Sequence, residues 1–406
     1  MNKRKGKSLT FALGKSPKFM QRQHAYVRAV AAVIFLTGVT LSPLSQTQEG
    51  ALQANYPELA QLANAHDVTQ AKLFDAISEI NSDPATMDVR KEVRMQVDMM
   101  NNMDMHDHMA MGHGGSEMTM DISGPYGELE IQIRVKLYNL LRDEHSQEVA
   151  QTAIENVYSL PEHAWRVLSW GRQFERKLYD IYADSATSRR EKQESVAAAI
   201  AVYQAEDPRH AVSLVPKNAD LYLAHPYANA AKTAFPRLSS LLWTNQWLQL
   251  AALEAIVVGQ LDPQFSGKVP VTLERYWNKV GSDTGMTMFP LPVEMPSMPA
   301  IAPSLFSEVP QAAVIIDNLN MLEAAIVDII AYPDLDDRNV LLESVAEEFT
   351  SSSENVSDEM TYLLSALRGG IFNQGGPAIG ELTGSERNRS RSAMNMNHSM
   401  IMAGPQ

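Results

Sequence analysis

Cysteine is absent from all 406 residues. That absence excludes disulfides, zinc-thiolate sites, iron-sulfur clusters, covalent c-type haem attachment and a lipidated N-terminal cysteine, so any soft-ligand chemistry must use methionine. Basic residues are scarce beyond the N-terminus. Eight of the 34 Lys and Arg lie in the first 28 residues, and without residues 1–50 the chain keeps 26 bases against 47 acids, a net charge of −21. A body this acidic repels nucleic acid and anionic membranes and attracts cations. Catalytic signatures are missing as well. The chain has no HExxH, Walker loop, GxGxxG, GxSxG or Cys nucleophile, and GGIFNQGG (369–376) lacks the following lysine and preceding strand of a phosphate loop. The residues favour a binding protein over an enzyme.

Long apolar runs are also lacking. The N-terminal stretch AVAAVIFLTGVTL (29–41) follows the basic segment MNKRKGKSLTFALGKSPKFMQRQHAYVR, which is the pattern of a secretory signal. It falls short of the roughly 17–20 residues of a comfortable membrane span. A cleaved signal and a retained anchor both fit, because only Leu52, Gln53 and Ala54 offer a cleavage site and they match it poorly. Either way the expected location is periplasmic or otherwise extracytoplasmic, with a soluble body or one tethered through the inner membrane. A composition of 45% hydrophobic and 20% charged residues is ordinary for a globular protein.

The periodicities predict a mainly α fold. Leu59, Leu62, Leu73, Ile77 and Ile80 have helical spacing through 56–81. The period then changes. Val93, Met95, Val97 and Met99 alternate with polar residues, as do Leu129, Ile131, Ile133, Val135 and Leu137, and MTMDI (118–122) with the turn SGPYG (123–127) lies between them. Period two predicts a small antiparallel β element over about 92–138. A helix over 128–142 stays open, since Leu129, Ile133, Leu137 and Leu140 also fall near one helix face.

Helical patterns fill 143–283. Ser159 and Glu162 suggest a capping box around Pro161, followed by the face Ala164, Val167, Leu168, Gly171, Phe174, Leu178 and Ile181. The leucine- and tryptophan-rich run 236–259 contains Asn245, Gln246, Gln249 and Glu254, which argue for a central core helix rather than a membrane span. Five prolines over 285–303 predict an extended connector carrying Met286, Met288, Met295 and Met298, which Phe289, Leu291 and Ile301 suggest dock on the body. Helices resume at Ser307 and run to Pro333, with two shorter segments at 336–349 and 356–368.

The resulting divisions are an export signal or signal anchor (1–50), a helical segment (51–84), a Met/His-rich loop with a β-hairpin (85–138) and a helical body (139–283). A Pro/Met-rich linker (284–308), a C-terminal helical segment (309–370) and a disordered Met-rich tail (371–406) follow.

The segment MDMHDHMAMGHGGSEMTM (103–120) holds six methionines and three histidines. Burying those methionines would also bury Asp104, Asp107, His106 and His108, at a heavy desolvation cost. Thioether and imidazole together suit monovalent copper far better than Mg, Ca or Zn, and divalent copper would take the histidines and nearby carboxylates. In an oxidising compartment thiolates are lost to disulfide chemistry, which explains Met in place of Cys.

The expected ligands are Met103, Met105, His106, His108, Met109, Met111 and His113. Met118 and Met120 belong to the predicted strand instead. A second set recurs at every other residue of MNMNHSMIM: Met394, Met396, His398, Met400 and Met402. Extended, neighbours there would stand about 6.6 Å apart, so the tail must curl around an ion or hold several weakly. Such labile sites suit capture and hand-over.

MDMHDHMAMGHGG and MNMNHSMIM resemble the Met/His-rich stretches of exported bacterial copper-resistance and copper-handling proteins, including the Met-rich inserts of periplasmic multicopper oxidases. The likeness covers roughly 35 of the 406 residues and is compositional. It implies copper traffic, with Cu(I) preferred and Cu(II) also held. The body lacks the His-x-His and Cys-His pattern of such an oxidase.

Other polar residues carry less. His145 and His163 each follow a Glu and read as solvated or capping groups, and His225 before Pro226 reads as structural; His66 and His210 have no informative company. Asp317 and Asp328, eleven residues apart, share a helix face but lie about 16 Å apart by helical rise, too far to share a reaction centre. The leading expectation is thus an exported copper-binding protein. An envelope assembly protein whose helical body docks on a partner is the alternative. A third reading, an enzyme with a buried metal, requires His145, His163 or His225 to converge with carboxylates.

Overall fold

The computed structural model describes residues 50–102, 124–281, 294–364 and 366. These belong to one compact unit. Its helices are α1 (Ala51–Asn55), α2 (Pro57–Ser82), α3 (Met87–Asn102), α4 (Glu128–Arg142), α5 (Gln147–Glu155), α6 (Glu162–Ala183), α7 (Arg189–Glu206), α8 (Asp220–Leu223), α9 (Ala230–Ala234) and α10 (Pro236–Leu261). They continue as α11 (Lys268–Gly281), α12 (Met298–Ile301), α13 (Pro303–Glu308), α14 (Pro310–Ala331) and α15 (Arg338–Thr350).

Four long helices form the centre. Both α2 and α6 pack against both α10 and α14, and the remaining helices wrap this group: α4 and α5 on α2, α7 and α15 on α6, α11 on α10, α9 on α14. The sequences of α10 and α14 explain their place. Every residue of 238–257 and of 312–331 is buried, which fits helices apolar nearly all round rather than along one stripe. Each buried Leu, Val or Ile there stabilises the fold by about 1.5–3 kcal/mol relative to exposure. Pro236, Pro303 and Pro310 each open a helix at its first position, where no intrahelical donor is lost.

The expected β element is not found. Among the described residues no strand occurs, and the only bridge pairs Lys217 with Val356. KEVRMQVDM lies in α3 and ELEIQIRVKL in α4; MTMDI lies outside the described residues. Burial shows why alternation misled. On α3, Val89, Val93 and Val97 are four residues apart and face the core, while Met95 and Met99 point outward. On α4, Glu130, Leu137 and Leu141 are buried with Ile133 beside them, while Leu129 and Val135 are exposed. Aliphatic residues on both faces of a helix imitate the period of a strand.

Two smaller expectations also change. Pro161, not Ser159, is the N-cap of α6, with no side-chain cap, and the Ser159 N–H donates to Asp75. A true capping box joins Ser188 and Glu191 at α7. The second half of the proline-rich connector is helical, as α12 and α13, so it is not extended there.

Candidate functional site

The predicted copper ligands Met103, Met105, His106, His108, Met109, Met111, His113, Met394, Met396, His398, Met400 and Met402 lie outside the described residues. What leads up to the first group is described. α3 carries the chain to Asn102, and its solvent face shows Met95 at 66% and Met99 at 53% exposure. Residues four apart are neighbours on a helix surface, so two accessible thioethers stand side by side just before Met103. Arg94 and Asp98 form an ion pair of 3.9 Å on the same helix. Of the connector methionines, Met295 and Met298 are buried, the packing role expected of them, and Met286 and Met288 lie outside the described residues.

The buried carboxylates do specific work on the backbone. Several helices begin after residues that cannot cap them, such as Phe235 before α10 and Ala302 before α13. Their first N–H groups are left without intrahelical acceptors. Distant acids supply them. Glu130 accepts from Arg237 and Leu238 at 2.6 and 3.0 Å, Glu254 from Ser304 and Leu305 at 3.1 Å, and Asp180 from Leu52 at 3.1 Å. Asp317 accepts from Met298 at 2.8 Å, whereas Asp328 accepts from Asn229 and Ala231 at 3.1 and 2.9 Å. Asp317 and Asp328 thus serve separate helix starts, consistent with the separation read from their spacing.

Burial pushes Glu130 up to about 7, against its two backbone hydrogen bonds. It also pushes Asp317 up to about 7, against hydrogen bonds from Tyr362 and Met298. Asp317 borders a cavity of about 240 Å³ with Tyr222, Met295, Met321 and Tyr362.

At the middle of the bundle lies an ionised layer. Arg172 of α6 is wholly buried and donates to Glu175 at 2.6 Å, to Glu323 of α14 at 2.5 Å and to Gln70 of α2 at 3.2 Å. Asp67 of α2 lies 3.6 Å from it and accepts from Arg176. Gln246 of α10 donates to Glu323 at 2.7 Å, so all four central helices contribute. Burial alone would lower the Arg172 pKa, but Glu323, Glu175 and Asp67 overcome it and raise the value. Glu175 is raised by burial, against the guanidinium beside it. Directional bonds of this kind select one register between the helices, which apolar contacts alone would leave degenerate.

The convergence of His145, His163 or His225 with carboxylates that a buried-metal enzyme requires is not found among the described residues. His145 donates to the Leu140 carbonyl at 2.9 Å, and His225 lies 3.7 Å from Asp328 while its Nδ1 accepts from Tyr227. His66 is buried against the Tyr276 hydroxyl at 3.2 Å, and burial with the Arg172 charge lowers its pKa to about 3. His163 and His210, from opposite ends of α6 and α7, bring their rings to 5.2 Å. No spacing in the sequence signals that pair.

Among the described residues, no three His, Asp or Glu side chains converge as a metal site, and no helix is long and apolar enough to cross a membrane. The 236–259 run is accordingly a core helix. No protein-family model, curated protein or solved structure matches the chain.

Proposed function

We propose that the chain is an exported copper-binding protein that acts in copper tolerance or delivery through labile Met/His-rich sites. One observation carries this reading: in a cysteine-free, acidic chain, Met103 to His113 concentrates thioethers and imidazoles among residues that build no core. The exposed Met95 and Met99 support it, since they place two accessible thioethers on the helix that leads to Met103. The helical body is a scaffold in this reading. Its acidity raises the local cation concentration, and its metal cargo is received and passed on.

Equilibrium dialysis of the full chain with copper, under reducing and oxidising conditions, tests the proposal. Replacing the twelve ligands of 103–113 and 394–402 by Ser should remove most bound Cu(I). Unchanged stoichiometry would sink the copper reading, and a partner protein still captured by that variant would favour the envelope assembly reading.

A further inference from the structure

His163 stands in the first turn of α6, and His210 lies in the turn that begins at Asp207, the C-cap of α7. Their rings are 5.2 Å apart, tilted by 48°. Two imidazoles that bind one ion through bonds of about 2.0–2.1 Å place their centroids roughly 5–6 Å apart, so this spacing matches a shared ion.

The hydrogen bonding fits as well. The Asp207 carboxylate sits 2.7 Å from His210 Nδ1 and accepts its N–H. With Nδ1 engaged by that carboxylate, Nε2 is the nitrogen left to face an ion, the carboxylate-histidine arrangement found behind metal ligands. His163 Nε2 is buried without a hydrogen-bond partner. Glu343 and Glu347, exposed on α15, add negative charge near His163, and Arg209 opposes them. With Asp207, three carboxylates face one guanidinium around the pair, a field that favours a cation.

We propose that His163 and His210 form the nitrogen half of a site for an imidazole-seeking transition-metal ion, copper or zinc, with Asp207 orienting His210. Two protein nitrogens leave the remaining coordination positions open to water. Such a site exchanges its ion readily, unlike a closed structural one. The inference goes beyond the Met/His segments and does not depend on them.

The test uses the full chain with the twelve segment ligands replaced by Ser, so that either proposal can fail alone. Cu(II) and Zn(II) are titrated separately, with nitrogen hyperfine structure in the Cu(II) electron paramagnetic resonance spectrum and the imidazole proton resonances as readouts. One equivalent should bind with two nitrogens in the copper spectrum, Cu(II) more tightly than Zn(II). His163→Gln or His210→Gln should each abolish the two-nitrogen signature, and Asp207→Asn should weaken binding by about 10- to 100-fold while the circular dichroism melt stays cooperative. Absence of the nitrogen signature in the parent, or a signature unchanged by His163→Gln, would overturn the site; unchanged affinity in Asp207→Asn would overturn the orienting role.

Discussion

Arg172 and Glu323 meet at 2.5 Å between α6 and α14, where solvent barely reaches either side chain. Their pair is the hub on which Asp67, Glu175, Gln70 and Gln246 depend. Arg172→Met should therefore cost about 3–5 kcal/mol, because it leaves Glu323 and Glu175 buried without their cation and Asp67 with Arg176 alone. Glu323→Gln keeps an oxygen acceptor and leaves Arg172 two carboxylates, so about 1–3 kcal/mol is expected. Urea unfolding followed by circular dichroism gives both values. Equal costs would show that the layer acts through packing rather than charge.

Remote capping makes a second prediction. Glu130→Ala removes the acceptor of two N–H groups at the start of α10 and should cost about 1–2 kcal/mol. Glu130→Gln, which keeps one acceptor oxygen, should recover at least half of that. The melting temperatures of the two variants check it.

Much of the helical framework was legible in the sequence, because α2, α6, α10 and α14 announce themselves through apolar spacing and through Pro236 and Pro310. The strand reading of 92–138 failed where exposed Met95, Met99, Leu129 and Val135 filled the outer faces of α3 and α4. Apolar residues on a solvent face remove the one contrast that separates the two periods. The capping acids and the His163/His210 pair were not legible at all. Their partners are set by tertiary packing, over separations such as 107 residues from Glu130 to Arg237, which no local pattern records.

Acid should destabilise the fold through His66. Its folded pKa of about 3 lies below the unfolded value near 6.5, so the unfolded chain binds the proton first as pH falls. Stability is complete above about pH 6.5 and is lost progressively down to about pH 3, by roughly 3–5 kcal/mol in all. His66→Gln should flatten that part of the stability curve. An acid limb unchanged in the variant would assign it to other groups.

Asp317 makes the opposite contribution. Its folded pKa of about 7 lies above the unfolded value near 4, so the folded protein holds the proton that the unfolded chain releases. Its effect falls from most to least stable as pH rises from about 4 to about 7. Asp317→Asn, neutral at every pH and still able to accept from Met298, should remove this slope. Stability measured at pH 5 and pH 7.5 in both proteins decides it, and an equal difference would refute it.

Gly171 sets how closely α6 approaches α14. A Cβ there would fall on the methyl groups of Leu319, one residue before the guanidinium that must reach Glu323. Gly171→Ala should therefore push the helices apart and cost about 1–3 kcal/mol, although Ala is the better helix former by about 1 kcal/mol in an open position. The two effects separate in a second background. With Leu319→Ala already in place, the added methyl has room, so Gly171→Ala should become neutral or stabilising. Were Gly171→Ala to cost the same in both backgrounds, the close approach to Leu319 would not be the reason for glycine at this position.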